Sequence, residues 1–525
     1  MKSLLHCLLA LALVACADDP VSDGAGTVDV ARDVATDVDA GGVDTDGGGA
    51  DTTDTGEEPD VAIDDVAADV GDADVAVGAD LGDDPDAADT ADMDGGDPEP
   101  PAFEQFDGVI DVARGNYRAW AYFIHVFGDE PDFHGLSYAQ TGSENDFWPA
   151  STIKVYPVTT ALILLAQEGF SLDAEATFYR DSGQGFTRDI TMSFRDMIFQ
   201  TFTCSSNETY TLLLRFAGAD WLNTSFLAEN GFSRTALMRG YNSDRPWAYR
   251  LGERQRIVVE EGDRSFTREH AWGGSRYANA VGCTIYNDSG TGNCSAPQDM
   301  AEHMRRVMFH ERLPPEEQFS VRAEDLDWVR FGGPEPVMNN KGACGGPGWD
   351  GVRQVFPDAD FYHKGGLVSE YRLDLMYVDD AVSGARYVLQ VAVDDGVDRP
   401  IAELSEAVAR MVKTPDRFVW LHNLRDNVNP VVGRARVYAE RGGRLELWIK
   451  DAQEDGQDPE GWTLLPGTGV EVPAGWSDQE LRSECLDWSR QVHIRGRLWG
   501  PDDAAGDFAE SDLHYVIADA GVPCP

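Results

Sequence analysis

Apolar side chains dominate from Val155 through Leu165, and the run ends at Gly169. A stretch of that length predicts a buried helix beginning near Ser151 and stopped by a left-handed glycine. Pro157 lies inside it and predicts a bend in the second turn, because proline removes one backbone donor. Val109 to Ala113 and Ala119 to Ile124 predict two strands around a turn at Arg114, Gly115 and Asn116. Ile401, Leu404, Val408 and Met411 recur at helical spacing and predict a helix over about 399–412. Further on, Arg434 to Ala439 and Arg444 to Ile449 alternate around Gly442 and Gly443 as a hairpin does, and Val492 to Trp499 continues the alternation. Residues 416–525 thus read as a small β-rich module whose partner the sequence does not name.

The first hundred residues have a different pattern. Met1 and Lys2 precede a short apolar core ending at Leu13, too short to span a membrane as a mature helix. Leu13-Val14-Ala15-Cys16 resembles the bacterial lipobox, which implies a signal peptide over 1–15 and lipidation at Cys16. Ala17 in the next position points to an outer-membrane anchor. Residues 17–102 hold 28 acidic residues, one arginine and no aromatic. Such a composition cannot bury enough apolar surface to offset chain entropy, so 16–102 reads as a disordered tether extended by its own charge. About half of the net charge of −51 lies there, and the acidity disfavours nucleic-acid binding. The Asp-Val-Ala and Asp-Gly pieces lack the ligand spacing of a calcium loop.

Six lysines stand among 42 lysine and arginine residues, and two of them fall in short patterns that carry chemistry. Ser151-Thr152-Ile153-Lys154 gives S-x-x-K, Ser205-Ser206-Asn207 gives S-x-N, and Lys364-Gly365-Gly366 gives K-x-G. A serine hydroxyl becomes nucleophilic only when a base takes its proton; arginine cannot serve, whereas a desolvated lysine can. The spacing of three places Ser151 and Lys154 on one helical face, within hydrogen-bonding reach. Taken singly, each pattern has an ordinary reading as a helix cap, a turn or a glycine-rich strand.

In this order the three patterns resemble those of the penicillin-recognising serine hydrolases, most closely the class A β-lactamases. The resemblance covers about 103–415 and extends to Phe147-Trp148-Pro149-Ala150 before the serine, Leu212 to Leu214 after Asn207 and Arg372 to Val378 after Lys364. It implies an α+β fold, an antiparallel sheet flanked by helices. It also implies roles: Ser151 as nucleophile, Lys154 as general base, Ser205 as proton relay, Asn207 on a substrate amide, and Lys364 as a fixed positive charge. The oxyanion would sit between the backbone N–H groups of Ser151 and Leu367, with Gly365 and Gly366 lining the approach. The motifs call for no cofactor. The substrate would be a small-molecule or peptide amide.

Two departures stand out. Gly365 replaces the hydroxyl residue usual in the third pattern. Aligning Thr235 to Asn242 on the family loop that carries a water-activating glutamate places Arg239 on its usual arginine and Tyr241 where the glutamate belongs. A tyrosine of ordinary pKa, near 10, is a poor water-activating base. Glu253, Glu260, Glu261 and Glu269, in an apparent insertion over 243–293, read as solvated loop charge. Three functions therefore stay open: a β-lactamase, a slowly deacylating D,D-peptidase or esterase, and an inactive peptidoglycan-peptide binder.

Apart from Cys7 and Cys16, six cysteines remain, with fifteen possible pairings. The reading favoured here joins Cys283 to Cys294, Cys485 to Cys524 and Cys204 to Cys344. No cysteine or histidine cluster has metal-ligand spacing; His303 and His310 read as surface residues, and His363 as a strand filler.

Overall fold

The computed structural model describes residues 101–128, 130–138, 148–241, 253–283, 292–341, 346–368, 371–394, 397–426, 428–501, 507–522 and 524. Cys16 and the proposed signal and tether segments lie outside the described residues. The elements that position the site are, in chain order, α1 (Phe106–Ala113), β1 (Ala119–Phe127), β2 (Asp132–Tyr138), α2 (Val155–Glu168), β3 (Glu175–Asp181), β4 (Phe186–Ser193), α3 (Phe194–Thr203), α4 (Asn207–Ala217), β5 (Gln255–Glu261), β6 (Arg264–His270), α5 (Pro297–Met308), β7 (Asp360–Val368), β8 (Tyr371–Asp380), β9 (Ala385–Asp394) and α6 (Arg399–Lys413).

Five strands pair in the order β2-β1-β9-β8-β7, every pairing antiparallel. The sheet is covered on both faces, which is why its inner strands read as near-continuous apolar runs. On β9, Tyr387, Leu389, Val391 and Val393 face a core shared with α1 and α6. Val388 and Ala392 face the opposite core, shared with α2, α4 and α5. Alternation at a period of two thus feeds two cores from one strand. This is the α+β architecture that the resemblance implied.

Four local expectations are corrected. Residues 109–113 belong to helix α1 and not to a strand, because Phe106, Val109, Ile110 and Ala113 recur at helical spacing and all are buried. The proposed insertion carries β5 and β6, which extend a second sheet ordered β4-β3-β5-β6, so Glu260, Glu261 and Glu269 are strand residues. His303 and His310 are buried: His303 Nε2 bonds Thr159 Oγ1 at 2.9 Å, and His310 Nε2 bonds the Phe319 carbonyl at 2.8 Å. Burial among aromatic rings holds His303 neutral, its pKa pushed down to about 3.

The chain beyond α6 forms β10 (Arg417–His422), β11 (Val432–Ala439), β12 (Gly443–Asp451), β13 (Thr463–Leu464), β14 (Val470–Val472), β15 (Gly475–Arg482), β16 (Arg490–Trp499), β17 (Ala509–Glu510) and β18 (His514–Ala518). Here the fourth correction falls: β11 and β12 are not a hairpin. β11 pairs with β10 and β15, whereas β12 pairs with β13, β14 and β16, so the Gly442-Gly443 step crosses from one sheet to the other. The inner faces meet through Val419, Leu421, Ala435, Val437, Leu445, Leu447, Ile494 and Leu498. Phe418 and Trp420, on the other face of β10, pack into the α1/α6 core. One strand therefore joins the two cores.

Disulfides link Cys283 to Cys294 and Cys485 to Cys524, as expected. Cys204 is exposed with a free thiol, so it is not paired as proposed; Cys344 lies outside the described residues.

Candidate active site

The first pattern opens on a short 3₁₀ turn, Ala150–Lys154, and the α-helix proper starts at Val155. This changes the reading of Pro157. It sits in the first α-helical turn, where a missing N–H removes little from the intrahelical ladder, and the helix runs on to Gly169, whose φ of 73° makes the left-handed stop. Ala150 itself has a φ of 44°, a conformation that non-glycine residues adopt rarely.

Lys154 is 0% exposed. Its Nζ donates to Asn207 Oδ1 at 2.8 Å, lies 3.4 Å from Ser205 Oγ and donates to the Ser205 carbonyl. Burial, and secondarily the charge of Lys364, hold its pKa well below the ordinary lysine range. The faces of Tyr210 and Tyr241 lie 5.6 Å and 6.0 Å from the same nitrogen and partly compensate the protonated form.

Ser205 has a φ of 49°, and Ser206 caps α4 by accepting from the Thr209 N–H at 3.3 Å, which leaves Asn207 as the first helical residue. Lys364, at the centre of β7 opposite Leu375, extends Nζ to Ser205 Oγ at 2.8 Å and to the Gly365 carbonyl at 2.8 Å. The three patterns therefore converge on one hydroxyl, with an amine on either side. A neutral Lys154 has two protons for the Ser205 carbonyl and Asn207 Oδ1 and a lone pair left to accept a proton.

The Ser151–Lys154 hydrogen bond expected from the spacing is not made. Among the described residues the Ser151 hydroxyl has no hydrogen bond, because the buried amine is satisfied by the carbonyl of Ser205 and the carboxamide of Asn207. Ser151 instead lines a cleft of about 240 Å³ with Trp148, Asn207, Arg239, Tyr241 and Leu367.

Gly366 sets the distance between β7 and the turn that carries Ser151. A Cβ there would lie 3.2 Å from the Ser151 nitrogen and 3.1 Å from that of Thr152, so any side chain would have to push the two segments apart by a few tenths of an ångström. Leu367, 62% exposed, follows at the cleft edge.

Tyr241 occupies the cleft wall. Its hydroxyl donates to the Ala150 carbonyl at 3.1 Å, and its ring packs 4.8 Å from Tyr210. No carboxylate lines the cleft among the described residues, and Glu261 is turned to Ser171 and Arg264 elsewhere.

Sequence reasoning missed the residues that hold this wall. Asn293 Oδ1 accepts from the Met238 and Arg239 N–H groups, both at 2.9 Å, while its Nδ2 donates to Tyr210 Oη at 3.0 Å and the Arg239 carbonyl at 2.7 Å. The isolated Ala236–Cys294 bridge and the Cys283–Cys294 disulfide fix the segment that carries Asn293. Its neighbour cysteine was the available signal. His363, read as a filler, bonds Asp374 Oδ1 at 3.0 Å and Asn340 Oδ1 at 2.6 Å, a buried network behind Lys364.

Residues 131–323 match the beta-lactamase enzyme family. No curated protein matches the chain. Among solved structures, it is similar to a beta-lactamase from Sphaerobacter thermophilus (12% identity, TM-score 0.38, covering 59% of this chain and 97% of that one). It is also similar to a beta lactamase from Burkholderia vietnamiensis (16%, 0.40, covering 60% and 98%) and to PBP-A (16%, 0.39, covering 60% and 97%).

Proposed function

We propose, supported by the match of residues 131–323 to the beta-lactamase enzyme family, that Ser151 attacks a β-lactam or related amide and holds the acyl group as an ester. The observation that carries this reading is the fully buried Lys154 amine, which shares Ser205 Oγ with Lys364. The Ser151 proton passes to the Lys154 lone pair as the Oγ–carbon bond forms. The carbon–nitrogen bond then breaks, the leaving nitrogen takes the Ser205 proton, and Lys154 returns its proton to Ser205. Backbone N–H groups of Ser151 and Leu367 receive the oxyanion, each worth about 3 kcal/mol in comparable sites. Asn207 orients the amide, and Lys364 attracts a substrate carboxylate.

Release of the acyl group is the slow step in this reading. Tyr241 stands where a water-activating carboxylate would be needed, and its hydroxyl is committed to Ala150. That favours a D,D-peptidase-like or slow-turnover enzyme over a fast β-lactamase. Intact mass after mixing with a penicillin tests it: a persistent adduct is expected, rapid turnover would mark a β-lactamase, and neither adduct nor hydrolysis would leave a peptide-binding protein.

The same reading puts the enzyme outside the cytoplasm, anchored through lipid on Cys16. The Cys283–Cys294 and Cys485–Cys524 disulfides favour an oxidising compartment.

A further inference from the structure

A second cleft, of about 670 Å³, opens between the C-terminal end of α6 and the face of β16. Its size is that of small-molecule sites. Five cationic side chains line it, Arg353, Arg410, Lys413, Arg495 and Arg497, against one carboxylate, Glu510. In a chain of net charge −51 this convergence is against composition. It is produced by two periodicities: Arg410 and Lys413 lie one turn apart on α6, and Arg495 and Arg497 point to one face of β16.

The internal pairings do not use up these cations. Arg495 donates to Glu510 at 2.8 Å and to Gln457 at 2.6 Å, and Arg497 donates to the same Glu510 at 2.9 Å, so one carboxylate serves two guanidinium groups. Arg410 is matched by Glu406 at 2.6 and 3.0 Å and donates to the Glu510 carbonyl at 2.9 Å, and Arg353 pairs with Asp350 at 2.9 Å, so the excess positive charge rests on Lys413 and on the Arg495–Arg497 pair that shares Glu510. Arg495 Nε is buried without a hydrogen-bond partner, and Lys413 makes no hydrogen bond among the described residues. Arg495 is pushed below the ordinary arginine range by burial, with Glu510 opposing and Arg410 adding to it. Added negative charge would relieve it. Phe508, Pro357 and Pro459 complete the wall with apolar surface.

We propose that this cleft binds a small molecule carrying two or more phosphate or carboxylate groups, held by the guanidinium forks of Arg495 and Arg497 and by the Lys413 ammonium. Planar guanidinium groups match the oxygen pairs of both anions. Bound there, the ligand would bridge the helix that ends the hydrolase region and the sheet of the C-terminal module.

Isothermal titration of the full chain with inorganic pyrophosphate and with citrate, at fixed ionic strength, tests the assignment. Saturable binding by either anion is expected, and the tighter one identifies phosphoryl or carboxylate chemistry. Lys413→Glu, at an exposed position, should weaken binding at least tenfold with an unchanged melting temperature. Arg495→Gln should weaken it as much; if that variant does not fold, Lys413→Glu decides alone. Absence of binding by both anions overturns the proposal, as does unchanged affinity in Lys413→Glu. Loss only in Arg239→Gln also overturns it, since the anion would then sit in the Ser151 cleft.

Discussion

Lys364 Nζ lies 2.8 Å from Ser205 Oγ, although 159 residues separate them in the chain. The contact brings a second cation towards Lys154 and helps keep that amine ready to accept a proton. Lys154→Met is therefore expected to slow penicillin acylation by about 10²–10⁴-fold, the usual share of a general base. Stopped-flow acylation measures it, and an unchanged rate would remove Lys154 from the base role.

The pH dependence follows from the same burial. Lys154 has a depressed folded pKa, whereas an unfolded lysine titrates at about 10.4. Between the two values the unfolded chain holds more protons than the folded one, so the Lys154 contribution to stability rises with pH through that window and falls with acidification. Acylation needs the neutral amine and should rise with pH through the folded value. Urea midpoints of the wild type and Lys154→Met across this span should diverge towards acid, the variant losing less; parallel curves would contradict the assignment.

Gly366→Ala tests the closeness of β7 to the nucleophile turn. The added methyl meets backbone nitrogens of Ser151 and Thr152 and pushes the two apart, displacing the Leu367 N–H from the proposed oxyanion position. A loss of about 10²-fold in acylation, with the circular-dichroism spectrum preserved, is expected from a misplaced donor.

Asn293→Ala removes the Oδ1 acceptor of the Met238 and Arg239 N–H groups, while the Tyr210 hydroxyl keeps its bond to the Arg239 carbonyl at 2.9 Å. At about 1–3 kcal/mol for each unsatisfied buried group, a loss of at least about 2 kcal/mol in denaturant unfolding is expected. A change within error would show that the loop is held by other contacts.

Tyr241→Glu places a carboxylate in a cleft lined by none among the described residues. The lifetime of the acyl adduct should shorten, read as faster recovery of free enzyme by mass. An unaltered lifetime would mean that deacylation is limited elsewhere.

The convergence of Lys154, Ser205, Asn207 and Lys364 was legible in the sequence because scarce lysines fell in ordered patterns, whereas Ser151 lines the cleft beside Asn207 without bonding Lys154. The details that escaped have identifiable causes. A five-residue apolar window such as 109–113 fits helix and strand alike, and only the earlier Phe106 extends it to helical spacing. β11 and β12 alternate as a hairpin would, but alternation reports burial of one face and not the identity of the paired strand. His303 looks like a surface residue beside Arg305 and Arg306 until the rings of Tyr156, Phe232 and Phe319 close over it. Asn293 acts through four long-range bonds, which no local pattern encodes.

Covalent labelling of the wild type and Ser151→Ala by a penicillin, followed by intact mass, tests the central claim most directly. The wild type should gain the mass of one intact penicillin, and the variant, folded to the same melting temperature, should gain nothing. Equal labelling of the two proteins, or a wild type that neither forms an adduct nor consumes penicillin, would contradict the account.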